Sequence, residues 1–205
     1  MKLVLATLNR GKIKELRELL MDLDIEVLSI ADASTTKFVV VEDGVTFAEN
    51  ASKKSRAAAE LTRLLSLADD SGLEVDALGG APGVWSARFA GEHATDEENN
   101  AALVDALKSK TDLRARYRCA LSLFDPATNR ESIVEATCEG RITLTPRGVG
   151  GFGYDPYFIV DGCERTMAEL NADEKNSLSH RAKALAQIQP KIAGIIESAR
   201  AGSGT

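Results

Sequence analysis

The chain has 205 residues, of which 44% are hydrophobic and 27% are charged, which is ordinary for a globular protein with a substantial core. Its formal net charge of −6 argues against a nucleic-acid polymer as the main partner, because binding to the phosphate backbone normally needs a clustered cationic surface. An acidic protein can still bind a small phosphate compound through a few placed lysines and a metal ion.

The cysteines and the apolar segments indicate the compartment. Cys119, Cys138 and Cys163 are odd in number and far apart, without a CxxC pair, which is typical of reduced thiols and not of a disulfide frame or a zinc site. The apolar run at the N-terminus is too short for a signal peptide, and no segment reaches membrane-spanning length. We therefore expect a cytoplasmic protein with no membrane partner.

The first half of the chain alternates predicted strands and helices, and the second half is richer in long β-branched segments. Hydrophobic periodicity, capping pairs at Thr46/Glu49 and Thr95/Glu98, and turn residues set the boundaries. In chain order, the patterns predict strand 2–6, helix 12–23, strands 25–30 and 37–41, helix 47–65, strand 66–69 leading into the turn ADDSG (68–72), helix 96–109, a hairpin or meander over 114–125 and 131–146, a glycine-rich loop 148–156, strand 157–160 and helix 177–199, which Pro190 breaks or kinks.

Without repeats, a low-complexity linker or a visible boundary, we expect one domain over residues 1–200 and a disordered tail at 201–205. Intermixed helices and strands, with a parallel first half and an antiparallel second half, predict an α/β protein built on a mixed sheet.

Charged and glycine-rich groups collect at the ends of the predicted elements, where binding sites are usually built. TLNRGK (7–12) places Lys12 one step inside a helix start, whose N–H groups can bind phosphate. It is not a P-loop, because Ala6 and Ile13 stand where glycine and a hydroxyl are needed. Taken alone, this segment is more often a plain β-turn-α connection.

Glu42 lies in a predicted loop, and Lys53 and Lys54 follow it in the next predicted helix. Taken alone, these three residues indicate only a polar loop and a solvated helix face.

The DDSG segment carries two adjacent carboxylates, Asp69 and Asp70. Two such charges repel each other, and one is expected to hold a proton unless a cation compensates. Mg²⁺ suits this pair, because it takes oxygen ligands and typically uses one or two carboxylates together with substrate phosphates. An aspartate-rich turn with Asp69 as a cap explains the segment equally well.

Two glycine- and cation-bearing segments follow in the second half. GVGGFGYDP (148–156) formally satisfies GxGxxG, but the following YFIV predicts extended structure where a dinucleotide-binding fingerprint needs a helix. What remains is a backbone able to approach a ligand closely, with an aromatic ring and a carboxylate. Lys175 and the triplet SHR (179–181) lie near a helix start and could bind an anion or the edge of a base, although a lone histidine is usually structural.

Five segments then form one pattern that spans nearly the whole chain: LATLNRGK, TFAENASKKSRAA, LADDSGLEVDALGGAPGVWSARFAG, GGFGYDPYF and AELNADEKNSLSHRAKAL. Together, in this order, they resemble the inosine triphosphate pyrophosphatase family, the Ham1/RdgB-like noncanonical purine nucleoside triphosphatases. The resemblance implies an elongated mixed sheet flanked by helices, two lobes with a central cleft, and a homodimer.

The resemblance also implies a reaction, the Mg²⁺-dependent hydrolysis of ITP, dITP and XTP to the monophosphate and pyrophosphate by attack of water on the α-phosphate. Asp70 would be the general base supported by Asp69, and Glu42 and Asp70 would hold Mg²⁺. The implied phosphate-binding residues are Thr7, Asn9, Lys12 and Lys54. The implied base-side residues are Ser71, Phe152 as a stacking ring, Gly153, Tyr154 and Asp155, with Lys175, His180 and Arg181 reading the 6-oxo edge.

One position departs from the family, whose first motif usually reads TGN where Leu8 stands here. We expect at most a reduced affinity for triphosphate from this change. Two alternatives stay open, a Maf-type pyrophosphatase acting on pyrimidine or modified nucleotides and a nucleotide-binding regulator without catalysis. The retention of Glu42, Lys54 and Asp70 argues against the regulator, because a pure binder needs no general base.

Overall fold

The structure is a computed structural model that describes residues 1–202 of the chain. Within that range the chain forms six strands and six α-helices, together with short 3₁₀ helices. The strands are β1 (Lys2–Leu5), β2 (Glu26–Ser29), β3 (Leu65–Val75), β4 (Arg114–Asp125), β5 (Arg130–Ile142) and β6 (Phe158–Val160). The helices are α1 (Arg10–Leu19), α2 (Ile30–Ala33), α3 (Phe47–Thr62), α4 (Asp96–Leu107), α5 (Ala172–Leu178) and α6 (His180–Gly202).

The six strands form one mixed sheet in the order β2-β1-β3-β4-β5-β6. Strand β1 pairs in parallel with both β2 and β3, whereas β5 and β6 pair antiparallel with Gly140 opposite Val160. Leu3, Val4 and Leu5 are fully buried, as expected for a strand between two parallel neighbours. The structure thus confirms the predicted α/β fold with a mixed sheet.

The chain divides into two compact units. The first unit contains Met1–Asp70, Ala120–Glu135 and the chain from Ala184 onward, and the second contains Ser71–Cys119 and Ala136–Lys183. Each has its own apolar core. One core in the first unit includes Val4, Ala6, Ile30, Ala58 and Ala68. The larger core of the second unit includes Leu73, Leu103, Leu107, Tyr117, Tyr154 and Phe158.

The prediction of a single domain over residues 1–200 stays a prediction. Of the predicted tail, Ala201 and Gly202 belong to α6, and residues 203–205 lie outside the described residues. No helix in the described range is long and apolar enough to cross a membrane.

The predicted strand at residues 37–41 is wrong. Residues 37–41 form no strand, and Val39 and Val41 are 67% and 72% exposed, because a β-branched run makes a strand only where a neighbouring strand and a core accept it. Of the two effects predicted for Pro190, a break is excluded, because α6 continues from His180 to Gly202, and the kink stays a prediction. The side chains two residues to either side, Ile188 and Ile192, are fully buried, so packing offsets the missing hydrogen bond.

Candidate functional site

The connection between β1 and α1 is built around Asn9, the N-cap of α1. Its side-chain oxygen accepts a hydrogen bond from the Lys12 amide at 3.0 Å, and its own amide donates to Thr7 Oγ1 at 3.2 Å. This capping arrangement fixes the first turn of the helix and directs its N–H groups to one end. Three of the four residues predicted to bind phosphate, Thr7, Asn9 and Lys12, therefore belong to one helix start.

Leu8 fits this connection without strain. Its side chain is 61% exposed, and the described non-glycine residues with positive φ are Arg63 and Asn129 only. The backbone at Leu8 therefore adopts a conformation open to any residue, and no glycine is required for it.

Asp69 and Asp70 lie inside β3, where the sequence predicted a turn. The strand runs from Leu65 to Val75 through both carboxylates, which are 0% and 7% exposed. The turn prediction is wrong because each charge has a lysine partner, and such pairing allows charged groups inside a buried strand. Lys12 Nζ lies 2.6 Å from Asp69 Oδ1, so the first-turn lysine of α1 binds the first carboxylate.

Lys54, on the second turn of α3, bridges the second carboxylate and Glu42. Its ammonium donates to Asp70 Oδ1 at 2.6 Å and to Glu42 Oε2 at 3.0 Å, and the lysine is 7% exposed. The helix is placed by its N-cap, Thr46, which accepts from the Glu49 amide as predicted. We call Lys12, Glu42, Lys54, Asp69 and Asp70 the carboxylate–lysine cluster; all five belong to the first unit.

Burial and charge act in opposite directions on these groups. Burial raises the pKa of Asp70, and together with repulsion from the Glu42 carboxylate it outweighs the lowering by Lys54 and Lys12. For Glu42 burial also raises the pKa, but Lys54 and the neighbouring Asp70 carboxyl outweigh it, so its pKa is lowered. Burial lowers the pKa of Lys54, and the two carboxylates more than offset that, so its pKa is raised. Lys54 therefore stays a cation, and Asp70 is the carboxylate that accepts a proton more readily.

The cluster offers oxygen ligands of the kind that Mg²⁺ prefers. Three carboxylates face two ammonium groups, which leaves one negative charge when all five are ionised. Across residues 1–202 there is no group of three or more His, Cys, Asp or Glu side chains arranged to hold a metal ion. Glu42 and Asp70 both bind the Lys54 ammonium group, so together they form a pair of oxygen ligands. Mg²⁺ commonly uses one or two carboxylates together with substrate phosphates. The residues present fit an ion that nucleotide oxygens help to bind.

The second unit holds all of the predicted base-side residues, and Asp155 connects several of them. Its carboxylate accepts from Lys175 Nζ at 2.5 Å, from Tyr117 Oη at 3.2 Å and from the Phe152 amide at 2.9 Å. The carboxylate is buried, at 4% exposure. One buried anion thus ties together the glycine-rich loop, α5 and β4.

Two cations lie near the ring of Phe152. Lys175 Nζ is 5.1 Å and the Arg181 guanidinium carbon 5.9 Å from the ring centroid. Arg181 is 1% exposed, although guanidinium groups are rarely buried so completely, and it donates to Ser71 Oγ at 3.0 Å. The structure therefore brings Ser71, Phe152, Lys175 and Arg181 together, as the sequence analysis expected of the base-side group.

His180 and Tyr154 are the remaining predicted residues here. The His180 ring stacks on Tyr117 with centroids 4.7 Å apart and an interplanar angle of 14°. Tyr154 Oη donates to the Ser86 carbonyl at 2.8 Å, and burial raises the pKa of its phenol. Both rings pack against the core of the second unit. For His180 this contact agrees with the expectation that a lone histidine is usually structural.

Sequence reasoning missed Asp96 and Asn100 near the start of α4. Asp96 and Asn100 bind Gly153, while Asn99 binds the Ala87 carbonyl and the Ala90 amide. Asparagine is a poor helix former, and both asparagines are buried. Two adjacent asparagines, directly before the apolar residues of the helix, were the signal that could have revealed this part of the site.

The model of the Ham1 family matches residues 3–191. The chain belongs to the Ham1 family. The resemblance expected from the sequence motifs is thereby confirmed.

Individual Ham1 relatives agree over most of their length. The chain is 54% identical to a dITP/XTP pyrophosphatase of Desulforamulus reducens, over 90% of this chain and 92% of that protein. It is 46% identical to a dITP/XTP pyrophosphatase of Bacillus subtilis, over 90% and 93% of the two chains. A solved Ham1 protein from Coxiella burnetii superposes with a TM-score of 0.84 at 42% identity, covering 95% of this chain and 99% of the other.

Proposed function

We propose that the protein hydrolyses the deaminated purine nucleoside triphosphates ITP, dITP and XTP to the monophosphate and pyrophosphate. The observation that carries this is the bridge of Lys54 between Glu42 and Asp70 in a buried cluster of mixed charge. Such a cluster suits an anionic substrate that arrives with a divalent cation. The names of the Ham1 relatives support the substrate class, and they favour it over a Maf-type pyrophosphatase.

The start of α1 is proposed to bind the triphosphate. Its N–H groups and its dipole favour negative charge, and Thr7 and Asn9 hold that turn in place. Lys12 and Lys54 supply two point charges that stabilise the charge developing on the pyrophosphate leaving group.

Glu42 and Asp70 are the residues that would hold Mg²⁺. When bound, the ion supplies neutralisation of charge on the phosphate oxygens. Lys54 must then give up at least part of its bond to one of the two carboxylates, because those oxygens cannot serve both cations fully.

Asp70 is proposed as the general base. It takes a proton from water as the water oxygen bonds to the α-phosphorus, the bond from that phosphorus to the bridging oxygen breaks, and pyrophosphate leaves. The pKa of Asp70, raised by burial, moves it toward the range in which a base works best. Asp69, paired with Lys12 at 2.6 Å, supports the site by fixing that lysine.

The base-side residues are proposed to select the purine. Phe152 offers a ring for stacking, and Gly153, Tyr154 and Asp155 shape the loop that carries it. Arg181, Lys175 and His180 can donate hydrogen bonds to a 6-oxo group, and Ser71 holds the guanidinium of Arg181. A 6-amino group offers those donors no acceptor, which disfavours adenine nucleotides.

The homodimer implied by the family resemblance stays a proposal, as do the cytoplasmic location and the absence of a nucleic-acid partner. Sedimentation velocity at micromolar concentration tests the first directly. A single species at the monomer mass would contradict it.

Product analysis tests the function. The protein is incubated with Mg²⁺ and, separately, ITP, dITP, XTP, ATP, GTP and TTP, and pyrophosphate and orthophosphate are measured independently. We expect pyrophosphate from the first three. Release of orthophosphate alone, or equal rates on all six nucleotides, would contradict the proposal.

A further inference from the structure

Two side chains near the start of α4 form hydrogen bonds with both backbone polar groups of one loop residue, Gly153. The Gly153 amide donates to Asp96 Oδ2 at 2.7 Å, and Asn100 Nδ2 donates to the Gly153 carbonyl at 3.0 Å. Asp96 and Asn100 are four residues apart, so they lie on the same face of the helix. We call this pair the Gly153 clamp; all three residues belong to the second unit.

The loop conformation at Gly153 needs glycine for its backbone and not for space. Its φ is +61°, in the region that side chains disfavour, and a Cβ placed there would meet nothing within 4 Å. Glycine also has the widest freedom to leave that conformation, so the two hydrogen bonds from α4 select it. On the other side of Phe152, the Phe152 amide is bound to the carboxylate of Asp155. The backbone is therefore fixed on both sides of this ring.

Asn100 donates a hydrogen bond to the Gly153 carbonyl while its own side-chain oxygen accepts none among the described residues. Its side chain is buried, and its Oδ1 has no hydrogen-bond partner among the described residues. The opposite amide orientation would place Oδ1 against the Gly153 carbonyl, with two acceptors face to face. A leucine would suit the buried helical position better than asparagine does. The contribution of Asn100 is therefore the hydrogen bond that its Nδ2 donates to the Gly153 carbonyl.

We propose that Asp96 and Asn100 are positioning residues for purine recognition, which hold Gly153 so that the Phe152 ring keeps the orientation needed to stack on the base. The inference rests on the proposed function, since it assigns Phe152 to the purine. Stacking depends on ring placement, and a shift of the order of 1 Å is enough to lose much of its benefit. Neither clamp residue needs to contact the nucleotide.

The test compares clamp variants with matched controls from the same helix. Asp96→Ala and Asn100→Leu each remove one bond to Gly153. Glu97→Ala removes an exposed carboxylate from the same turn, and Asn99→Leu removes a buried amide that binds residues 87 and 90 instead. Asp96→Asn keeps an acceptor oxygen while removing the charge, and we expect it to behave like the original protein.

Binding is measured by calorimetry with an α,β-imido analogue of dITP and with tripolyphosphate, which has no base. We expect Asp96→Ala and Asn100→Leu to weaken binding of the analogue about two- to tenfold, the range that corresponds to loss of an aromatic stacking contact. The affinity for tripolyphosphate should stay unchanged. The control variants Glu97→Ala and Asn99→Leu should change the affinity for neither ligand. Hydrogen exchange of a peptide covering residues 148–157 should become faster in the two clamp variants only.

Equal weakening of both ligands would overturn the proposal, because it would show a general loss of structure. Faster exchange with unchanged affinity for the analogue would also overturn it, since the loop would then be held for another purpose. If the original protein binds the analogue no better than tripolyphosphate, the proposed function fails while the exchange experiment still decides whether the clamp fixes the loop.

Discussion

The ammonium group of Lys54 lies 2.6 Å from Asp70 Oδ1 and, with its other donor directions, reaches Glu42 Oε2 at 3.0 Å. A cation of the protein itself therefore occupies the place between the two carboxylates proposed to hold Mg²⁺. Lysine and metal compete for the same oxygens, which predicts that nucleotide phosphates must supply part of the metal's affinity.

The change Lys54→Met should increase the affinity for Mn²⁺ in the absence of nucleotide, by about tenfold or more, because removing one nearby positive charge is worth at least that much. Electron paramagnetic resonance of unbound Mn²⁺ measures the affinity without any turnover. Lys53→Met is the control, since Lys53 directly precedes Lys54 on α3 and pairs with the exposed Asp43. An equal gain in both variants would show a general charge effect and contradict the competition.

Asp70→Asn should lower kcat for dITP by about 10²-fold or more, the usual contribution of a positioned base, while nucleotide binding is largely retained. Steady-state kinetics and calorimetry with the α,β-imido analogue separate the two effects. Asp43→Asn removes a carboxylate from an exposed ion pair and should leave kcat unchanged. Normal turnover by Asp70→Asn would show that Asp70 is not the base.

Arg181→Lys should reduce the preference for ITP over ATP by about tenfold, because an ammonium cannot reproduce the planar set of donors that a guanidinium presents. The ratio of kcat/KM for the two nucleotides is the measurement. Lys183→Met, two residues further along α6 and exposed, serves as the control. A fall in kcat with an unaltered ratio would assign Arg181 a structural role only.

Leu8→Gly should change kcat/KM for dITP by less than about threefold, as expected for a surface substitution without backbone strain. Glycine should also lower Tm slightly, because it increases the freedom of the unfolded chain. Kinetics together with thermal unfolding tests both statements. A tenfold rise in kcat/KM would mean that Leu8 hinders phosphate binding.

The three cysteines should differ in reactivity. Cys119 and Cys138 are fully buried, and burial raises the pKa of the Cys138 thiol to about 11, whereas Cys163 is partly exposed. At pH 8 a thiol of that pKa is ionised in only about one molecule in a thousand, and the thiolate is the reactive form. A thiol-reactive dye should label one cysteine rapidly in the native protein and three after denaturation. Cys163→Ser should abolish the rapid phase, and its persistence would contradict the assignment.

The sequence by itself determined the parts of the molecule that depend on neighbours along the chain. The run KLVLA at residues 2–6 predicted the strand that forms as β1 (Lys2–Leu5), and the capping pair Thr95/Glu98 predicted the start of α4, where both hydrogen bonds of the capping box form. The order of the motifs identified the family, because residue types and spacing carry that information without any knowledge of their contacts.

Tertiary structure decided how charged and apolar groups far apart in sequence are paired. DDSG read alone indicated a turn, and only Lys12 and Lys54, contributed by two helices, make it compatible with a buried strand. Residues 37–41 looked like a strand but have no pairing partner, and the Gly153 clamp joins residues more than fifty positions apart. Burial of a charge, a β-branched run or an asparagine is favourable only when a distant partner offsets its cost, and local sequence does not encode where that partner lies.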